Sequence, residues 1–63
     1  MTLHQYLIHV RVEHASRMLT TTVQPAAEIA ELCGFSSPAH FSSVFRRSTG
    51  ETPAEYRRRR GLL

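Results

Sequence analysis

At 63 residues the chain has room for one small domain, at a size where a single apolar core barely holds a fold, and a large enzyme is excluded. Cys33 is the single cysteine, so neither an internal disulfide nor a cysteine-rich metal knuckle can staple the chain, and helix packing or a partner must do so. Residues 1–45 set two arginines against three glutamates, a net of −1, whereas residues 46–63 set six arginines against two glutamates, a net of +4. Arginine's planar fork fits phosphate oxygens two at a time, so the basic end points to a polyanion, most often nucleic acid. The plainer alternative for Arg57 to Arg60 is a solvated, frayed helix end. No apolar run reaches the roughly 20 residues of a membrane span, and no basic segment followed by an apolar block opens the chain. A soluble cytoplasmic protein without membrane contact is expected.

The first element is a long helix over residues 2 to 21. Thr2 and Gln5 have capping-box spacing, and neither Gly nor Pro interrupts residues 3 to 20. At 100° per residue, Leu3, Tyr6, Leu7, Val10 and Met18 form one apolar stripe and Ile8, Val12, Ala15 and Leu19 a second. The arc they cover is too wide for one neighbour, so the helix is built to be covered from two sides. Thr20 to Thr22 weaken it, and Pro25 suits the first turn of a second helix over 25 to 33. Gly34 ends that helix in a left-handed backbone, Phe35 returns to the core, and Ser36 or Ser37 caps a third helix over 37 to 48 with Pro38 at its start. Phe41, Val44 and Phe45 share its inner face, while Ala39, Ser42, Ser43 and Arg46 face outward. Gly50 breaks the third helix, Thr52 caps, Pro53 restarts, and a short basic helix runs over 53 to 60 with Tyr56 as its inward anchor. No alternating stretch exists, so the fold class is all-α, with Ile29, Phe35, Phe41, Phe45 and Tyr56 as its core.

Two short helices joined by a three-residue Gly-containing turn, with the small Ala30 four residues before the glycine, describe a helix-turn-helix. The outward face of the second of these helices has no large apolar group, so it can enter a major groove and bring hydroxyl and alanine side chains close to base edges.

The run Ala27-Glu28-Ile29-Ala30-Glu31-Leu32-Cys33-Gly34-Phe35-Ser36-Ser37, followed by His40-Phe41-Ser42, Phe45-Arg46-Arg47, Gly50-Glu51-Thr52-Pro53 and Tyr56-Arg57, resembles the signature of AraC/XylS-type bacterial transcription regulators. Upstream, Tyr6-Leu7, Arg11, Ala15 and Met18-Leu19 resemble the family's linking helix. The resemblance implies a sequence-specific DNA-binding module in which two helix-turn-helix units, joined by a long helix, each place a recognition helix in the major groove. On it, residues 1–22 correspond to the linking helix and 23–63 to the second unit, with the first unit expected to be absent. That absence would account for the over-wide apolar arc. The chain departs from the family pattern at Ser43, where a basic residue is frequent, at Thr49, where an aromatic is usual, and at Ala26, where a larger aliphatic is usual.

Pro38, Ala39, Ser42, Ser43, Arg46, Arg47 and Arg57 are the expected DNA-binding residues, with Arg46 the strongest phosphate candidate and double-stranded DNA the expected partner. RNA polymerase is a further candidate partner. A homodimer through the exposed apolar face of the first helix is another. Arg11 lies within the apolar arc and is expected to pair with a glutamate or with helix-end carbonyls. His4, His9 and His14 recur every five residues, which spreads them around the helix, and no nucleophile-base set accompanies Cys33 or His40. Neither enzymatic activity, a metal nor a cofactor is expected. The competing reading is a helical protein-interaction or dimerisation fragment that has lost DNA binding.

Overall fold

The computed structural model describes residues 1–61 and consists of α1 (Leu3–Thr21), α2 (Ala26–Leu32), α3 (Pro38–Thr49) and α4 (Pro53–Arg60). No strand occurs among the described residues, and every helix end falls within one residue of its expected position. The last two residues of the unit expected over 23–63 lie outside the described residues.

Local chemistry sets each boundary. Thr2 accepts a hydrogen bond from the Gln5 N–H at 3.1 Å while its own N–H donates to Gln5 Oε1 at 2.9 Å, so two otherwise orphan donors of α1 are satisfied reciprocally. At the other end, the Thr21 and Thr22 hydroxyls donate to the carbonyls of Arg17 and Met18, bonds that let β-branched residues close a helix they would not extend. Pro25 stands at the N-cap of α2 instead of inside its first turn, and its carbonyl accepts from the Glu28 and Ile29 N–H groups.

Gly34 has φ +87°, a left-handed backbone that costs a residue with a Cβ about 1–2 kcal/mol. With it in place, the Phe35 N–H donates to the Ala30 carbonyl and the Gly34 N–H to the Glu31 carbonyl, the paired bonds of a Schellman stop. Ser37, not Ser36, then caps α3 by accepting from the His40 N–H at 3.0 Å. Gly50, at φ +86°, closes α3, and Thr52 with Glu55 forms a second capping box at the start of α4.

The core joins all four helices. Val12, Ala15 and Leu19 of α1 are buried with Ile29, Ala30, Cys33, Phe35, Phe41, Val44 and Phe45, and Ile8, Met18, Ala26 and Tyr56 pack against them. Of the two α1 stripes, the one containing Val12, Ala15 and Leu19 is therefore the covered one, and Leu3, Tyr6, Leu7 and Val10 remain exposed. Ala30 is 1% exposed, as a close crossing of α2 and α3 requires. A series of ring contacts runs from the turn to α4: Phe35 to Phe41 at 4.9 Å between centroids, Phe41 to Phe45 at 5.5 Å, and Phe45 to Tyr56 at 5.2 Å, the last two edge-to-face. Burying each phenylalanine contributes about 1.5–3 kcal/mol, and each ring pair about 0.5–1.5 kcal/mol more.

Candidate nucleic-acid interface

Burial of Phe41, Val44 and Phe45 turns the opposite face of α3 outward. Pro38, Ala39, Ser42, Ser43, Arg46 and Arg47 are all exposed. Ser42, Ser43, Arg46 and Arg47 line one open hollow together with Thr52, the N-cap of α4. Neither the Arg46 nor the Arg47 guanidinium is engaged in an ion pair among the described residues, so both retain their donors for an external anion. Arg47 also borders a second, larger groove, where His4, Gln5, Ile8, His9, Val12 and Glu13 of α1 face Val44, Ser48 and Thr49 of α3.

Glu55 is the acidic neighbour of this surface. The Thr52 N–H, donating to its carboxylate, holds it below the ordinary value near 4.5; the Thr52 side chain and the charges of Arg46 and Arg58 act in the same direction. It therefore stays ionised beside the arginines at neutral pH. The sequence signal was available in the Thr-x-x-Glu spacing, although its proximity to Arg46 depends on how α4 folds back on α3.

Arg57 is placed otherwise than expected. It is half-buried, and its guanidinium points back to α1, where Nε donates to the Leu19 carbonyl at 3.1 Å and Nη2 to the Thr22 carbonyl at 3.2 Å. A cation at a helix C-terminus satisfies orphan carbonyls and complements the helix dipole. Arg57 thus supplies the basic group that the last turn of α1 lacks, and it is not part of the hollow on α3. The run that follows is no frayed end: α4 is helical through Arg60, and Arg59 and Arg60 both pair with Glu51.

Among the described residues Arg11 makes neither of the expected pairings. It lies against the α2–α3 turn, with Nε 3.2 Å from where a Cβ on Gly34 would stand. Cys33 is buried, its thiol pushed above its ordinary value by desolvation and 3.8 Å from the Met18 sulfur. His40 is exposed at the rim, edge-on to Phe35 at 5.9 Å. His9 pairs with Glu13 at 3.2 Å, and no cluster of three metal-ligating groups occurs among the described residues.

A family model described as a helix-turn-helix domain matches residues 1–59. The probable transcriptional regulator LumQ of Photobacterium leiognathi is 40% identical over 55 residues, which cover 87% of this chain and 22% of LumQ. The HTH-type transcriptional regulator GlxA of Rhizobium meliloti (strain 1021) is 48% identical over 52 residues, covering 82% of this chain and 16% of GlxA. The chain therefore spans about a fifth of the length of these curated relatives. Among solved structures, the DNA-binding domain of the global transcriptional factor AdpA, in complex with a target DNA, superposes with a TM-score of 0.91 at 41% identity, over 94% of this chain and 53% of that one. The four-helix arrangement, the Gly34 turn and the match over nearly all of the sequence agree: the chain belongs to the AraC-type helix-turn-helix family of DNA-binding domains.

Proposed function

We propose that the chain binds double-stranded DNA by laying the outward face of α3 in the major groove, with Ala39, Ser42 and Ser43 approaching base edges and Arg46 and Arg47 neutralising phosphates. One observation carries this reading: a helix packed by Phe41, Val44 and Phe45 on one side presents small and hydroxyl side chains on the other, bordered by two arginines that form no ion pair among the described residues. Pro38 starts the helix at the groove edge. Arg57 acts at one remove, by fixing α4 to α1. The AdpA domain, whose solved complex contains target DNA, supports the assignment by similarity. Regulation of transcription by the whole protein, with contact to RNA polymerase, belongs to the same proposal.

One recognition helix makes few base contacts, so binding by this chain alone falls in the non-specific range, about 10⁻⁴ to 10⁻⁶ M near physiological salt. Fluorescence anisotropy of labelled duplexes across a salt series tests it. Arg46→Ala should weaken binding to every duplex and reduce the salt slope by about one contact, or about 0.9 in log–log units. No binding even at low salt would overturn the proposal.

A second reading is favoured by the exposed stripe on α1, where Leu3, Tyr6, Leu7 and Val10 are 42–76% exposed. Contiguous apolar surface of this kind marks an interaction face. A homodimer or an interdomain contact through that stripe is compatible with DNA binding through α3, since no residue of the stripe lines the hollow on α3.

A further inference from the structure

Arg57 to Arg60 are half of the chain's arginines, and from the charge balance alone they look like its principal polyanion-binding feature. Three of the four guanidiniums are instead committed within the molecule. Arg57 serves α1, while Arg59 Nη1 lies 2.7 Å from Glu51 Oε1 and Arg60 Nη1 lies 3.1 Å from Glu51 Oε2. Each oxygen of one carboxylate thus takes one arginine.

The backbone at Glu51 is ordered by the turn between α3 and α4. Its side chain is 14% exposed, against 67% for Arg59 and 52% for Arg60. Its N–H donates to Thr49 Oγ1 at 3.2 Å, and it sits between the left-handed Gly50 and the N-cap Thr52. The Thr49 hydroxyl, which also donates to the Glu51 carbonyl at 3.1 Å, therefore fixes the backbone from which the acid projects. Arg60 is steadied further by lying 4.8 Å over the Tyr56 ring. The cluster adjoins the proposed DNA surface, because the next residue, Thr52, lines the hollow with Ser42, Ser43, Arg46 and Arg47.

The geometry points to Glu51 as an internal counter-anion that withholds Arg59 and Arg60 from DNA and so limits how many phosphates the chain neutralises. This rests on the DNA-binding reading and refines it. Single exposed ion pairs are weak because ordering both partners offsets most of the attraction. Here one carboxylate, on a backbone ordered by the turn, is shared by both arginines. Binding driven by counterion release counts only the cations that exchange salt ions for phosphates, and the single negative charge of Glu51 offsets one of the two arginines in that count.

The test compares wild type, Glu51→Gln and Glu31→Gln, the last removing the same charge from exposed α2, by anisotropy of a labelled mixed-sequence duplex and by the salt needed to elute each from heparin. Removing the one negative charge should steepen the log–log salt slope of Glu51→Gln by about 0.9, so that its affinity falls about 3.5-fold more than wild type between about 50 and 200 mM salt. It should bind more tightly at the lower salt and elute later, while Glu31→Gln changes little. Arg59→Ala/Arg60→Ala in the wild-type background should lower the slope by no more than about 0.9, the one charge Glu51 leaves uncompensated, against up to about 1.8 in the Glu51→Gln background; the wild-type-background result alone keeps the test decisive even if Glu51→Gln fails to fold. A slope for Glu51→Gln equal to wild type, a gain matched by Glu31→Gln, or a slope lowered by the arginine substitutions in wild type by about 1.8 would each overturn the inference. Should wild type bind no duplex while Glu51→Gln alone shifts on heparin, the DNA reading fails and the counter-anion role stands.

Discussion

Replacing Arg57 with alanine separates two jobs that a basic residue near a DNA-binding helix can have. The guanidinium makes two charge-assisted hydrogen bonds to α1 carbonyls at 3.1 and 3.2 Å. Such bonds contribute about 1.5–3 kcal/mol each when dry and less where water can replace the donor, as it can at this half-buried site. With a further 0.3–1 kcal/mol, roughly, from the charge at the helix end, Arg57→Ala should cost about 2 kcal/mol. A domain of this size has only about 3–5 kcal/mol in hand, and its melting temperature moves about 4–8 °C per kcal/mol, so melting should fall by about 8–16 °C. Thermal unfolding followed by far-ultraviolet circular dichroism measures this directly. Arg57→Lys should recover only part of the loss, because an ammonium keeps the charge but cannot fork between two carbonyls. The salt slope of DNA binding, measured below the melting range, should stay at its wild-type value. An unchanged melting temperature together with a slope lowered by one contact would refute the capping role and restore Arg57 to the phosphates.

Phe41→Ala removes a side chain that is 1% exposed and packed between the Phe35 and Phe45 rings, at a cost of about 3–5 kcal/mol, so the helical dichroism should be lost at room temperature; retention of the full signal would contradict the packing. Gln substitutions at Leu7 and Val10 should raise solubility and abolish concentration-dependent sedimentation without lowering helicity, and a wild-type chain that stays monomeric at high concentration would remove the case for the exposed stripe as an interface. Glu55 titrates lower in the folded chain than in the unfolded one, so the unfolded state binds the extra proton first as acid is added. Its contribution is complete above about 4.5 and declines as the pH falls through the folded value, and Glu55→Gln should flatten stability against pH in that acid window, as urea titrations at several pH values would reveal.

The elements were legible because their punctuation is chemical and local. Gly34, Gly50, Pro38, Pro53 and the caps at Thr2, Ser37 and Thr52 each act within a few residues, and each stands where its chemistry demands. The outward face of α3 was equally readable, since Phe41, Val44 and Phe45 can be buried together only if Ser42, Ser43 and Arg46 are not. Which α1 stripe is covered was not readable: both have helical spacing, and periodicity is blind to which of two apolar faces a neighbour takes. The arginine run was misjudged for a related reason. Successive residues fan out by 100° around α4, so Arg57 reaches α1 while Arg59 and Arg60 reach back to Glu51, and those destinations exist only after the chain has closed on itself. The ion pair expected for Arg11 failed likewise, because its neighbour proved to be the Gly34 turn, 23 residues on.

The ring series from Phe35 through Phe41 and Phe45 to Tyr56 also predicts where the chain opens first. Because those contacts tie the turn, α3 and α4 into one cooperative unit, the amides of Phe41, Val44 and Phe45 can exchange with solvent deuterium only when the whole unit opens. The first two turns of α1 have no such tie: Leu3 to Leu7 contribute nothing to the buried core, and their amides should exchange through fraying that leaves α3 intact. Local opening and global unfolding therefore divide along α1 itself, near Ile8, so that the exposed stripe can loosen and re-form while the face presented by α3 keeps its shape.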